Sequence, residues 1–205
     1  MDARSAAQRI VAILVIVAGG CGGAVFAGPV YTYHGSFNLP IPAPDEPESE
    51  FGKGWMTDAI IDVPDDYVIS DLDVRLTFTH ENFIDLQIIL QSPAGTAVVL
   101  NPALNIALLN IGGHTEIVFD DEAEVQIECA VAPLQGPYRP VEPLAVFHRE
   151  NVFGQWTLKI RDWWPPDIGT LNSFELIFTV PEPATATLLT LGAGLLLLLR
   201  PRRGR

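Results

Sequence analysis

The residues of this chain best suited to chemistry are carboxylates. Asp71 and Asp73 alternate with Leu72 and Val74, Asp85 opens a second alternating run, and Asp120, Asp121 and Glu122 follow one another directly. Such side chains supply the hard oxygen donors that calcium collects, about six to eight at a time, with backbone carbonyls and water completing the set. No EF-hand spacing accompanies them, so two readings stand: a calcium site drawn from these six residues, or a solvated acidic face. Hydrolytic chemistry finds less support. The histidines, His34, His80, His114 and His148, include no pair spaced as metal ligands on one helix. Cys129 lies in an expected strand with no basic neighbour to lower its pKa, and reads as a small buried residue. Trp163 and Trp164 precede Pro165-Pro166 in an expected hairpin loop. Adjacent side chains in an extended loop diverge, so one indole covers the rim of the core. The other either packs or stacks on sugar or on a partner surface.

The elements that must position these groups are strands. Leu72, Val74, Leu76 and Phe78 fall on one face, and Asp71, Asp73, Arg75, Thr77 and Thr79 on the other. Ile84, Leu86, Ile88 and Leu90 repeat the pattern, placing Asp85 on the outer face. Ser92-Pro93-Ala94-Gly95-Thr96 then turns the chain into a hairpin with residues 97–100. Further strands are expected at 116–119, 125–129, 155–161 and 173–179, with an edge strand at 31–38. Residues 39–50, rich in proline and acid, are expected to form an exposed loop. Strands separated by turns, without a long amphipathic helix or a repeat, indicate one antiparallel β-sandwich domain.

The two ends carry different signals. Arg4 and Arg9 precede an apolar stretch, and Val25-Phe26-Ala27 has the small-residue pattern of signal-peptide cleavage, so residues 1–27 are expected to be removed. Ala18-Gly19-Gly20-Cys21 offers a competing lipoprotein reading. Cleavage after Ala27 leaves Cys129 as the one thiol and rules out an intramolecular disulfide. At the other end Val180-Pro181-Glu182-Pro183 leads into an uncharged apolar run over residues 184–199, then Arg200, Arg202, Arg203 and Arg205. A helix of that length spans roughly 24 Å against a hydrocarbon core of about 30 Å. The arginines place the C-terminus on the cytoplasmic side. Between these ends, residues 28–180 hold 23 acidic against 6 basic side chains, a net charge of −17. That field excludes a nucleic-acid partner and suits a surface protein attractive to divalent cations.

In order and spacing, the tail resembles the PEP-CTERM sorting signal of exported bacterial proteins. The resemblance implies recognition at Pro181, Glu182 and Pro183 by an exosortase-like membrane enzyme and association with cell-surface material. The alternative is an ordinary uncut C-terminal membrane anchor. The middle of the chain resembles the P domain of proprotein convertases, also called P/Homo B. The resemblance is carried by residues 69–74, Phe78-Thr79-His80 and the 85–96 run. It continues through Phe119-Asp120-Asp121-Glu122, Gly136-Pro137-Tyr138, residues 144–147, Gly154-Gln155-Trp156 and Asp167-Ile168-Gly169-Thr170. It implies a jelly-roll-type sandwich over 58–180, after an edge strand and linker at 28–57. In relatives that domain is often attached to a subtilisin-like or metalloprotease catalytic domain, and some P domains bind calcium. His80 then takes the family's strand-end histidine position as a hydrogen-bonded structural residue. A sandwich of this size cannot hold a serine-protease scaffold. The first expectation is therefore a non-enzymatic surface module in adhesion or matrix assembly. One alternative is an accessory P domain for a secreted protease. Another is a calcium-dependent module binding extracellular polysaccharide.

Overall fold

Apolar and polar residues alternate in this chain, and the alternation becomes strands with one face sealed from water. In β5 (Asp71–His80), Leu72, Val74, Leu76 and Phe78 are buried, while Asp71, Asp73, Arg75 and Thr77 stay partly exposed. The same logic sets β6 (Leu86–Gln91), β10 (Gly154–Asp162) and β11 (Gly169–Thr179). The computed structural model describes residues 3–5, 8–12, 28–44, 54–103, 112–131, 133–134 and 136–181. The remaining strands among them are β1 (Ala3–Ser5), β2 (Gln8–Ala12), β3 (Val30–Ile41), β4 (Ala59–Val63), β7 (Ala97–Asn101), β8 (Gly113–Phe119) and β9 (Pro137–Tyr138).

They form two sheets, ordered β1-β4-β10-β6-β7 and β2-β3-β11-β5-β8-β9. Pairing is antiparallel except where β1 meets β4 and β8 meets β9. One hydrophobic core joins both sheets, as in a sandwich. Trp156 of β10 lies 5.3 Å from Phe178 of β11 and 5.2 Å from Phe147, and its indole N–H donates to Val152 O at 2.9 Å. Burying such rings supplies much of the driving force for stacking one sheet on the other.

Several expectations are corrected. β3 runs on to Ile41 and in the full chain lies between β2 and β11, so residues 31–38 form an edge only when residues 8–12 are gone. Its extension takes in Leu39, Pro40 and Ile41 because β11 supplies ladder partners as far as Gly169, so the expected loop begins later. Residues 125–129 are not a strand. Their one bridge is Gln126 to Arg139, after which the backbone closes on itself as a 3₁₀ turn, Ile127–Cys129. Cys129 is consequently exposed rather than buried. The 92–96 hairpin is present, with Gly95 at φ 91° and its N–H donating to Ser92 O. The loop carrying Trp163 and Trp164 is not a hairpin, because β10 and β11 belong to different sheets. Glu182, Pro183 and the apolar run 184–199 lie outside the described residues, as does the signal-peptide cleavage region. Among the described residues no helix is long and apolar enough to cross a membrane.

Candidate functional site

Strand β5 presents different chemistry at its two ends. At its start, Asp71 and Asp73 project from the outward face by the period of two. β8 pairs with β5 through Val74 and Phe119, so the residues after β8 emerge beside Asp73. There Asp120 Oδ1 accepts from Glu122 N at 2.7 Å, a tight turn that brings Glu122 back to the strand. Carboxylate oxygens of Asp71, Asp73 and Glu122 all lie within 4.8 Å of one another. Oxygens this close can share one cation, and an all-oxygen set suits a hard divalent ion such as calcium. Water and carbonyl oxygens would have to complete the shell.

The electrostatics describe the same crowding. Asp73 is pushed up to about 7, first by loss of solvent and then by the charges of Asp120, Asp71, Glu122 and Asp121. Glu122 is raised by partial desolvation, then by Asp71 and Asp120. Asp121 has a different task. Its two oxygens accept from Leu144 N at 2.9 Å and Ala145 N at 2.8 Å, holding the 3₁₀ turn Leu144–Phe147 beneath the loop.

Asp85 does not join this group. It lies beyond the far end of β5, in the 3₁₀ turn Phe83–Asp85, and it is buried rather than on an outer face. Asn82 Nδ2 donates to it at 2.9 Å. Burial and the nearby Asp162 and Asp167 raise it to about 6, against the opposing pull of His80 and Asn82. His80 closes this end of the strand. Its Nε2 is 3.3 Å from Asp162 Oδ2, and both side chains are fully buried. A proton on Nε2 donates to that carboxylate. Nδ1 either donates to Asn82 O at 2.9 Å or accepts from Asn82 N at 3.1 Å, two states differing by one proton. Gly169 is required over this ring, since a Cβ there would sit 2.4 Å from His80 Cδ2 and 2.5 Å from Thr79 O.

The two indoles diverge as their adjacency requires. Trp163 lies under the Arg161 guanidinium, 3.9 Å from ring centroid to Cζ, with Trp55 on the same cation at 5.5 Å. Its Nε1 reaches Gln87 Oε1 at 3.4 Å. Trp164 is 44 % exposed, with its backbone N–H donating to Asp162 Oδ1. Trp163 is therefore a packing residue, and Trp164 is the indole that faces solvent. Pro181 is exposed just beyond β11.

Sequence reasoning missed one row. His34 Nδ1 is 3.0 Å from Glu175 Oε1, and its Nε2 is 2.9 Å from Ser36 Oγ, the order of a serine–histidine–acid relay. The spacing of His34 and Ser36 along one strand puts both on one face, which the sequence could have disclosed. Glu175 arrives only through the β3–β11 register. Arg75 also holds Glu175, at 3.0 Å. Ser36 is itself a ladder residue opposite Ser173, whereas an oxyanion hole requires donors free of such pairing.

The proprotein convertase P-domain family matches residues 134–178. That span holds the landmarks from Gly136 to Phe174, while those at 69–96 lie outside it. No curated protein sequence matches the chain. Two solved structures resemble it at 16 % identity. One is a serine protease of Aeromonas sobria, with a TM-score of 0.46, covering 75 % of this chain and 27 % of that one. The other is the complex of Aeromonas sobria serine protease with its chaperone, with a TM-score of 0.45, covering 78 % of this chain and 28 % of that one. The chain thus spans little more than a quarter of those structures, and nothing about function follows from a likeness at these scores.

The raised Asp73 makes a prediction for the protein free of divalent cations. A carboxyl whose pKa is higher folded than unfolded takes up a proton on folding. Its stabilising effect is full below the ordinary value of 3.8 and is lost as pH rises through about 7. Thermal melts in chelator should show stability draining away across that window, with Asp73→Asn flattening the slope. An unchanged slope in the variant would assign the pH dependence elsewhere.

Proposed function

We propose that the chain is a non-catalytic accessory module for an exported protease. The observation that carries this reading is the P-domain match at residues 134–178. By the family resemblance, such a domain is a jelly-roll-type sandwich that stands beside a protease catalytic domain and stabilises it. The match moves this reading ahead of adhesion or matrix assembly, the first expectation from sequence, because it supports the P domain and nothing comparable supports polysaccharide binding. The His34–Ser36 row does not change the assignment. Hydrolysis needs an oxyanion site as well as a relay, and Ser36 sits on a paired strand. Tagged full-length chain, cross-linked in its native host, should carry a protease as its main partner. The purified chain alone should turn over neither casein nor simple esters. Ester cleavage abolished by Ser36→Ala, or a polysaccharide as the main partner, would overturn the reading.

We further propose that Asp71, Asp73 and Glu122 hold calcium, supported by the convergence of their oxygens. When bound, the ion would supply positive charge where three carboxylates meet, and these residues would fix the 120–122 loop against β5. At pH 8, millimolar calcium should raise the melting temperature by mass action, and Asp73→Asn should blunt the rise. A titration with neither heat nor thermal shift would leave a solvated acidic face.

Delivery by the tail is a separate proposal, resting on the Pro181-Glu182-Pro183 element, the apolar run and the arginines behind it. On this reading an exosortase-like enzyme cuts near the motif, after transient anchoring in the membrane, and the protein reaches the cell surface or beyond. Mass spectrometry of the surface form should find a C-terminus near Pro183. Arg205 retained there would reduce the tail to an anchor.

A further inference from the structure

Residues 3–5 and 8–12 close one side of the sandwich. β1 runs parallel to β4, pairing Ala3, Arg4 and Ser5 with Ala59, Ile60 and Ile61. β2 runs antiparallel to β3, pairing residues 8–12 with His34 back to Val30. Each is the outermost strand of its sheet, and β3 and β4 are themselves neighbours, so one short segment caps both sheets on the same side.

What lies beneath is an undefended edge. Natural sheet edges are blunted by lysine, by proline or by a bulge that twists the strand away. Residues 30–34, Val-Tyr-Thr-Tyr-His, contain no lysine, proline or acid, and their register with β11 is regular. The irregular features of β3 come later: the register shift opposite Leu171 and Ser173, Asn38 at φ 54°, and Pro40. Without β2, the unpaired N–H and C=O groups of residues 30–34 form a template for another strand. Charge narrows the choice of strand. Residues 28–180 carry 23 acidic against 6 basic side chains, whereas β1 and β2 contain Arg4 and Arg9 and no acid. A second copy would bring like charge to the edge, and a basic strand brings the opposite.

We propose that the shared edge of β3 and β4 is an acceptor for an extended, apolar, positively charged strand. The chain's own residues 3–5 and 8–12 hold it until they are removed, and the edge then takes such a strand from a partner polypeptide. Main-chain hydrogen bonds supply the affinity, and the acidic body selects for charge. This inference does not depend on the protease reading.

The test uses the full chain with Arg9→Pro and Ile10→Pro. Because the positions are adjacent, one N–H facing β3 is lost whichever way the ladder alternates. Amide exchange at 30–34 should quicken by roughly tenfold, with 71–80 unchanged. A synthetic peptide of residues 7–13 should restore protection in this variant and bind the unsubstituted chain weakly. The same peptide with Arg9→Glu should bind at least about tenfold less tightly at low salt. Unchanged exchange at 30–34, equal binding of both peptides, or equal binding to the unsubstituted chain would overturn the proposal. Dimerisation of the variant in sedimentation would do so too, by giving the edge to a second copy. If the double variant also loses protection at 71–80, the Ile10→Pro chain and the same peptides, read at 30–34 and 59–63, decide among these outcomes.

Discussion

The rest of the structure depends on a hydrogen-bonded pair sealed where the two sheets meet. His80 ends β5 in one sheet, Asp162 ends β10 in the other, and their side chains sit 3.3 Å apart without exposure to water. A hydrogen bond between buried polar groups returns little net stability, so the pair serves alignment more than net stability. Losing one partner is another matter, at about 1–3 kcal/mol, because a buried polar group is then left unsatisfied. Around the pair, Asp162 also accepts from Trp164 N and Gly169 packs close over the His80 ring. The crossing from β10 to β11 is thereby pinned, and with it the ladders that β11 makes to β3 and β5.

Pinning one end of β5 leaves the other free to gather charge. Asp71 and Asp73 can face outward because Leu72 and Val74 face the core, and they meet Glu122 because β8 pairs alongside. Asp121 holds the neighbouring turn through two backbone N–H groups, so the loop has a fixed base under its cluster of charges. The two halves of the molecule thus differ in electrostatic character. A histidine hydrogen-bonds to acid at one end, and at the other acid meets acid.

Much of this was legible in the residues themselves. The alternation in β5, β6, β10 and β11 reports directly which side chains are buried, since a strand has only two faces. Divergence of Trp163 and Trp164 followed from adjacency alone. Asp85 was misplaced because its alternation with Ile84 and Leu86 resembles an outer-face position, whereas a 3₁₀ turn there redirects the chain before β6 begins. Cys129 was misplaced because residues 125–129 have strand-like composition but find only a single bridge. Contacts set by long-range register were out of reach: Glu175 with His34, Asp162 with His80, and the capping of the two sheets by residues 3–5 and 8–12.

A sandwich braced at one end and acid-rich at the other suits the non-catalytic accessory module proposed above. The most direct measurement is secreted proteolytic activity in native cells lacking the chain. It should fall, and purified full-length chain or its Ser36→Ala variant should restore it equally. Proteolysis unaffected by the deletion, or rescue that requires Ser36, would contradict a non-catalytic accessory role.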